Sequence, residues 1–549
     1  SALRQNESLL VEVQNVDGDQ ARVHQKVLLF DRIVALRDRL QMQQVVDQWE
    51  ILNFGEIETP DYALQAVADA LLYLRRPEES AEIYAAIAGR TPNNSAAWLG
   101  LYYSLHESNR YDQATELIER LVAEQAIWDR TKGYREPEEN PARFAAELTA
   151  ALDRLYRNEL ELAEEQLMRL YRQGPHHTDL RKAVGELENS RRHPRHAQQL
   201  FEQGLAVESE HSGLQVALAD SFIVRRQWRL AEQSIARLQE LYPDEGASLR
   251  LRDDWQRRNM RQLEGRISFG FGDSPDVDGQ EIDWLLRDWT RPLDYDWRLA
   301  AFAQSRRADL PEGRSTRTYA GVAFERETPD LSLFGQLALS DASDDRWLAE
   351  VSGRYEVDDR WALLFGVARN GSAVSLRALE TGSAGTEYRL GAEWWRNESL
   401  SVSGGFSLLD YDDGNQRTGF YASVRHRLLS GPTLQLDNIV RTSTTQNSRP
   451  GGAYFAPAAD FSLEDELQLR WISWRWYTDT LTQRTSISSG GYWQQEHGWS
   501  VPFSLSYAHE WELQQQRLLV EYGSSFSRRS YDGTAENNLG LYLAFSWRY

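Results

Sequence analysis

The sequence contains no cysteine. That absence excludes disulfide frameworks, cysteine nucleophiles and thiolate metal sites together, and it fits a protein that crosses an oxidising compartment without covalent staples. Lysine is nearly missing as well: Lys26, Lys132 and Lys182 are the only three, so arginine supplies 58 of the 61 basic side chains. No apolar run approaches the roughly 18 residues a transmembrane helix needs. A membrane barrel is not excluded, because each of its strands needs only about 10 residues of alternating polarity. Positive surplus is absent too: 83 acidic against 61 basic side chains leave a net charge of -22. Phosphate neutralisation needs a basic face, so nucleic acid is excluded as the main partner, and cationic or neutral partners are favoured. Ser1-Ala2-Leu3 carries no basic segment followed by an apolar core, so a signal peptide is expected to have been removed, or the chain to be an internal fragment. What is present is 549 residues with 19 tryptophans and a mean hydropathy of -0.61, enough for two large domains.

From Asp61 to Tyr242 the apolar pattern is helical and repeats every 34 residues. Ser80, Ala114, Ala163, Ala197 and Ala231 share one register, with gaps of 34, 49, 34 and 34. Four residues after each stands Tyr84, Ile118, Leu167, Phe201 or Ile235, and twelve after stands Pro92, Ala126, Pro175, Ser209 or Pro243. This is the tetratricopeptide period, in which helix pairs pack through a small residue and the inter-repeat turn favours proline. The long gap predicts an insertion at about 127–141, a polar, proline-bearing loop on one face of the solenoid. Residues 1–60 read as a helical segment leading into the solenoid, and their lack of a polar cap suggests further repeats upstream. The repeats fill 61–263.

After Leu263 the period becomes two. Leu539, Leu541, Leu543, Phe545, Trp547 and Tyr549 alternate with Gly540, Tyr542, Ala544, Ser546 and Arg548, and about 16 such segments fit into 264–549. Aromatics end the apolar faces (Trp297, Trp347, Trp361, Trp394, Trp511, Trp547), as girdles at two membrane interfaces require, while the other face is polar and glycine-rich. The expected fold is therefore an α + β membrane protein: an N-terminal tetratricopeptide-repeat α-solenoid, then a 16-stranded antiparallel outer-membrane β-barrel, with the repeats in the periplasm.

Strand parity assigns the lumen. Asp283, Glu350, Glu387, Glu393, Asp437, Glu510 and Glu521 point inward, as do Arg298, Arg354, Arg389, Arg425, Arg441 and Arg548, with an error of one residue wherever a bulge intervenes. The net charge of residues 264–549 is -12, and carboxylate rings favour cationic or hydroxyl-rich solutes. Trp395, Tyr421, Tyr542 and Trp474 are the inward aromatics that offer stacking faces to sugar rings.

Several motifs bear a family resemblance. Repeats ahead of a barrel that contains Asp309-Leu310-Pro311-Glu312-Gly313-Arg314, Tyr411-Asp412-Asp413-Gly414-Asn415-Gln416-Arg417, Asn447-Ser448-Arg449, Ala453-Tyr454-Phe455-Ala456-Pro457, Ser473-Trp474-Arg475-Trp476-Tyr477 and Ser527-Arg528-Arg529-Ser530-Tyr531-Asp532-Gly533 resemble the poly-β-1,6-N-acetyl-D-glucosamine export porin (PgaA) family. The resemblance implies secretion of the partially deacetylated biofilm polymer through the barrel, with the periplasmic repeats docking the polysaccharide deacetylase, the polymer or both, and outer-membrane lipid around the barrel. An acidic lumen suits such a polymer, since each free glucosamine amine is a cation. The alternatives are a cellulose export porin of the same plan and a barrel-anchored periplasmic protein-binding scaffold; alginate, a polyanion, is disfavoured by the acidic surplus.

An enzyme needs chemistry the barrel does not offer. His426, His497 and His509 are its only histidines, and none has a serine and an acid at a recognisable spacing. Asp410-Tyr411-Asp412-Asp413-Gly414 misplaces the glycine of a calcium loop and reads as a hairpin turn. His176, His177, His193 and His196 fall in turns of the solenoid and read as solvated. No catalytic residue, metal or cofactor is expected.

Overall fold

A computed structural model describes residues 2–14, 19–51, 59–129, 136–273, 278–342 and 346–549. They form two compact units, residues 1–175 with 241–249 and residues 176–240 with 250–549.

The first unit is helical: α1 (Ala2–Gln14), α2 (Asp19–Arg37), α3 (Met42–Ile51), α4 (Asp61–Tyr73), α5 (Pro77–Arg90), α6 (Ser95–Glu107), α7 (Tyr111–Glu124), α8 (Pro141–Tyr156) and α9 (Leu160–Gln173). The repeat register explains its packing. Ser80, Ala114 and Ala163 are fully buried, and Tyr84, Ile118 and Leu167, one helical turn on, fill the space between helices. Ser80 reaches across rather than merely being small, since its hydroxyl donates to the Ala68 carbonyl at 2.9 Å. Asn94 and Asn140 cap α6 and α8 by accepting backbone N–H groups at 3.1 and 3.0 Å. Between the paired helices a residue with positive φ turns the chain in every repeat: Arg75, Asn109 and Asn158 here, Arg192 and Arg226 in the second unit. Part of the expected insertion lies outside the described residues; its flanks, Trp128–Asp129 and Glu138–Glu139, pair as a short antiparallel ladder instead of a free loop.

The second unit begins with two more helix pairs, α10 (Thr178–Ser190) with α11 (Pro194–Val207) and α12 (Ser212–Val224) with α13 (Trp228–Leu241); α14 (Gly246–Arg258) leads into the barrel. Ala197 and Ala231 repeat the buried small position.

Sixteen antiparallel strands then close on themselves. They are β1 (Gln262–Asp273), β2 (Asp278–Trp289), β3 (Trp297–Leu310), β4 (Gly313–Glu327), β5 (Leu331–Ser340), β6 (Trp347–Glu356), β7 (Trp361–Arg369), β8 (Gly385–Trp395), β9 (Leu400–Tyr411), β10 (Gln416–Ser430), β11 (Leu434–Asn447), β12 (Ala459–Trp476), β13 (Asp479–Gln494), β14 (Phe503–Leu513), β15 (Leu518–Tyr531) and β16 (Thr534–Arg548). A three-residue strand, Gly498–Ser500, folds back on β13. The closing pair, β16 with β1, sets Leu541 against Phe269 and Trp547 against Leu263.

Leu299, Val322, Leu337, Val351, Leu363, Leu390, Phe406, Leu467, Leu505 and Leu541 project outward and are exposed, as a belt meant for lipid must be. Trp347, Trp361, Trp471, Trp474 and Trp547 flank that belt. Trp474 therefore corrects the sequence reading. A bulge between Ile472 and Trp474 reverses the parity of β12, and the Trp474 ring lies 6.3 Å from the outward Trp511 ring. It belongs to the girdle, not to the lumen.

Candidate functional site

The site is the barrel interior. Asp283, Glu350, Glu387, Glu393, Asp437, Glu510 and Glu521 all lie on the inward register, but they do not form a bare acidic ring. Glu350 accepts from Arg389 and from Gln336, each at 3.0 Å, and Glu387 stands 3.4 Å from the same Arg389. Glu393 pairs with Arg354. Asp437 is clasped by Arg425 at 2.7 Å and Arg427 at 2.9 Å. Glu510 bridges Arg470, at 3.0 Å, and Arg484, while Glu521 accepts from the Tyr542 hydroxyl at 2.6 Å. Only Asp283 of the seven has no ion pair among the described residues; it faces Arg306 across the β2–β3 ladder. The wall is thus a ladder of guanidinium and carboxylate groups, each bond charge-assisted and each exchangeable for a polar solute.

The inward aromatics differ in what covers them. Tyr421 is the most open, at 38% exposure. Its hydroxyl reaches over glycines: a Cβ at Gly405 would stand 2.8 Å from that oxygen and 2.6 Å from the Leu390 carbonyl, so a larger residue there would crowd both. Trp395 is covered, with the Arg192 and Arg354 guanidinium carbons each 4.6 Å from its ring centroid. Tyr542 carries Arg266 at 5.8 Å.

Two loops narrow the end of the barrel away from α10–α13, and parity arguments gave no sign of this. Residues 370–384, between β7 and β8, fold inward and carry a short helix, α15 (Leu376–Glu380). Leu376 packs on the inward Ala308 and Leu310, Arg306 donates to the Val374 carbonyl at 3.0 Å, and Arg377 binds Glu312 at 2.7 Å. Asn370 ties the two ends of the loop, donating to the Trp347 carbonyl at 2.9 Å and accepting from the Gly385 amide at 3.1 Å. Residues 448–458 pack against this loop through Tyr454 and Ala456, which share an apolar cluster with Val374, Ala378, Leu379, Leu409 and Tyr411. Asn415 donates to Asn447 at 3.0 Å and to the Tyr454 hydroxyl at 3.2 Å, and that hydroxyl donates to Asp413 at 2.9 Å. The hairpin reading of residues 410–414 fits, with Gly414 at φ +85°. The signal in the sequence was Val374, Leu376, Ala378 and Leu379, apolar residues at helical spacing inside a segment otherwise typical of loops.

At the opposite end α10–α13 dock on the short strand connections. Asp359, in the β6–β7 turn, accepts the backbone N–H groups of Arg195 and His196 at 3.2 and 3.3 Å, where α11 begins. Arg195 also donates to the Val357 and Glu356 carbonyls and to Asp330, each at 2.9 Å. Trp228 donates its indole N–H to the Glu327 carbonyl at 2.9 Å. His193 is not solvated, contrary to the sequence reading: its Nδ1 lies 2.7 Å from Glu188 and its Nε2 3.3 Å from the Arg396 carbonyl. A carboxylate and a carbonyl only accept, so the protonated ring, which donates from both nitrogens, is the form that satisfies both contacts. The hydrogen bond to Glu188 raises the His193 pKa accordingly.

Comparison with known proteins follows the same outline. Over 544 residues, covering 97% of the chain, the sequence is 23% identical to the poly-beta-1,6-N-acetyl-D-glucosamine export protein of Escherichia coli (strain K12) and of Escherichia coli O157:H7. The chain spans 66% of the length of these curated relatives. A solved structure, a bacterial polysaccharide outer membrane secretin, superposes with a TM-score of 0.51 at 22% identity, covering 53% of this chain and 99% of that one, and so shares the fold of the barrel. The barrel sits in the outer membrane, with α10–α13 on its periplasmic side. Residues 258–549, every barrel strand among them, match the PgaA membrane beta barrel domain, and the chain belongs to that family.

Proposed function

We propose that the chain exports poly-β-1,6-N-acetyl-D-glucosamine in partially deacetylated form, and that its periplasmic repeats receive the polymer, the deacetylase or both. The observation that carries this reading is the lumen wall, in which carboxylates such as Glu350 and Glu510 are held by arginines and the Glu350–Arg389 pair lines one cavity with the exposed Tyr421. Such a wall offers many weak, exchangeable bonds to hydroxyl, amide and ammonium groups, and no covalent step is needed for a polymer to move along it. A free amine replaces a guanidinium at a carboxylate such as Glu510 without leaving that carboxylate bare. Acidic residues thereby guide a cationic sugar even though few of them stand unpaired.

The test is secretion. Cells that make the polymer but lack their own exporter are supplied with this barrel joined to its periplasmic repeats, and surface polymer is quantified. Restored secretion of the partially deacetylated polymer supports the reading. Retention of polymer in the periplasm despite correct barrel assembly refutes it, and secretion of cellulose in a parallel strain would assign the neutral polymer instead.

A further inference from the structure

The inward loop 370–384 roofs a cavity of about 450 Å³ in the barrel wall, lined among others by Arg266, Asp283, Arg306, Tyr319, Glu350 and Asn370. Two of its polar groups have unmet hydrogen bonds. The Tyr319 hydroxyl and Oδ1 of Asp283 are shielded from solvent and bond to none of the described residues, although Tyr319 is only 1% exposed. Buried polar groups are nearly always paired, so a donor and an acceptor left unmade at one cavity point to a ligand that supplies both partners. Packing does not account for the pair, because phenylalanine would fill the space of Tyr319 and leucine that of Asp283 without either group.

Charge and size narrow the ligand. Arg266 and Arg306 in the lining and Arg389 beside it offset Asp283, Glu350 and Glu387, so the formal charges cancel and the cavity suits a neutral guest. The volume lies within the range of small-molecule sites, and one or two pyranose rings fit it. We propose that this cavity is a subsite for a neutral, N-acetylated hexosamine unit of the passing polymer. Asp283 accepts the acetamido N–H, Tyr319 donates to the acetamido carbonyl, and the arginines donate to ring hydroxyl oxygens. Arg306 also holds the Val374 carbonyl of the roof at 3.0 Å, so an occupant and the loop share one guanidinium. The subsite rests on the export reading and deepens it: acetylated units register here, while free amines register at the carboxylates elsewhere in the lumen.

The experiment uses the whole chain in planar bilayers and reads the dwell time of current blocks caused by β-1,6-linked N-acetylglucosamine oligosaccharides or fully deacetylated ones of equal length. Wild type holds the acetylated oligosaccharide longer at this site, and Tyr319→Phe and Asp283→Leu, each of which removes one of the two hydrogen-bonding groups, each shorten that dwell by at least about tenfold. Both changes are near-isosteric, and assembly of either variant, checked by heat-shifted electrophoretic mobility, is enough for the test. Unchanged dwell of the acetylated oligosaccharide in an assembled variant overturns the subsite, as does an effect of Asp283→Leu confined to the deacetylated one. Wild-type channels blocked by neither oligosaccharide would overturn the export reading instead, so the two failures are distinct.

Discussion

Replacing Glu510 with glutamine should turn a neutral stretch of lumen positive. Arg470 and Arg484 are direct cross-strand partners on β12 and β13, so their side chains leave the wall about 5 Å apart at Cβ. Glu510, on β14, binds both of them, and Glu521 stands 3.5 Å from Arg484. Two guanidinium charges about 6 Å apart repel by about 3 kcal/mol at an effective dielectric of 20. The arginines are 46% and 33% exposed, and solvent and salt screening reduce this repulsion to about 1–2 kcal/mol. Glu510 offsets it in the wild type. Glu510→Gln exposes it, moving the four-residue cluster from net zero to +1. The assay is the reversal potential of single channels in a salt gradient, where Glu510→Gln should shift selectivity toward anions. Glu510→Gln combined with Arg484→Gln should return it, because the second change removes the surplus charge and the repulsion together. Polymer secretion should fall in the single variant and recover in the double one. A single variant with wild-type selectivity in a properly assembled barrel would refute the reasoning, as would a double variant more perturbed than the single.

Asp359→Ala should loosen α10–α13 from the β6–β7 turn, since it removes the acceptor of two amide donors at the start of α11; a cost of about 1–2 kcal/mol is expected, read as faster hydrogen exchange in α11 with the barrel unaffected. The same docking should weaken with rising pH. The folded pKa of His193 is raised by Glu188, so its contribution is complete below the ordinary value of about 6.5 and is lost as pH rises through the folded value; the protection of α10 and α11 against exchange, taken relative to the intrinsic amide rate at each pH, should be greater at pH 6 than at pH 8, and His193→Gln should abolish that difference in protection. Deleting 372–383 should widen the far mouth and raise single-channel conductance severalfold, whereas an unchanged conductance would place the constriction elsewhere.

The repeat register was legible because it rests on local packing: Ser80, Ala114, Ala163, Ala197 and Ala231 are small where helices cross, and all five are fully buried. The positive-φ positions recur at the same interval, Arg75 through Arg226, yet hydropathy cannot mark them because their side chains are polar and varied. Barrel strands were legible from alternation, and parity placed Glu387, Glu393 and Trp395 on the inward face. It misplaced Trp474, since one inserted residue reverses every side chain beyond it, and the switch from odd Leu467, Leu469 and Trp471 to even Trp474 and Trp476 marks a change of register without saying where it falls. The arginine partners were illegible for a different reason. Glu393 meets Arg354, and Glu510 meets Arg470, across about 40 residues of chain, and those meetings depend on the stagger between strands. Loop 370–384 turns inward through contacts with β3 and β4, which lie beyond β5 and β6 in the sheet order, and no local pattern encodes that reach.

Export itself is tested most directly by single-channel recording on the purified chain, with β-1,6-linked, partly deacetylated oligosaccharides added on the repeat side. Passage through the lumen predicts current blocks whose duration grows with oligosaccharide length and shortens at higher voltage as the cationic chain is driven across. Open channels whose current ignores oligosaccharides of every length, or an assembled barrel that conducts no ions at all, would contradict it.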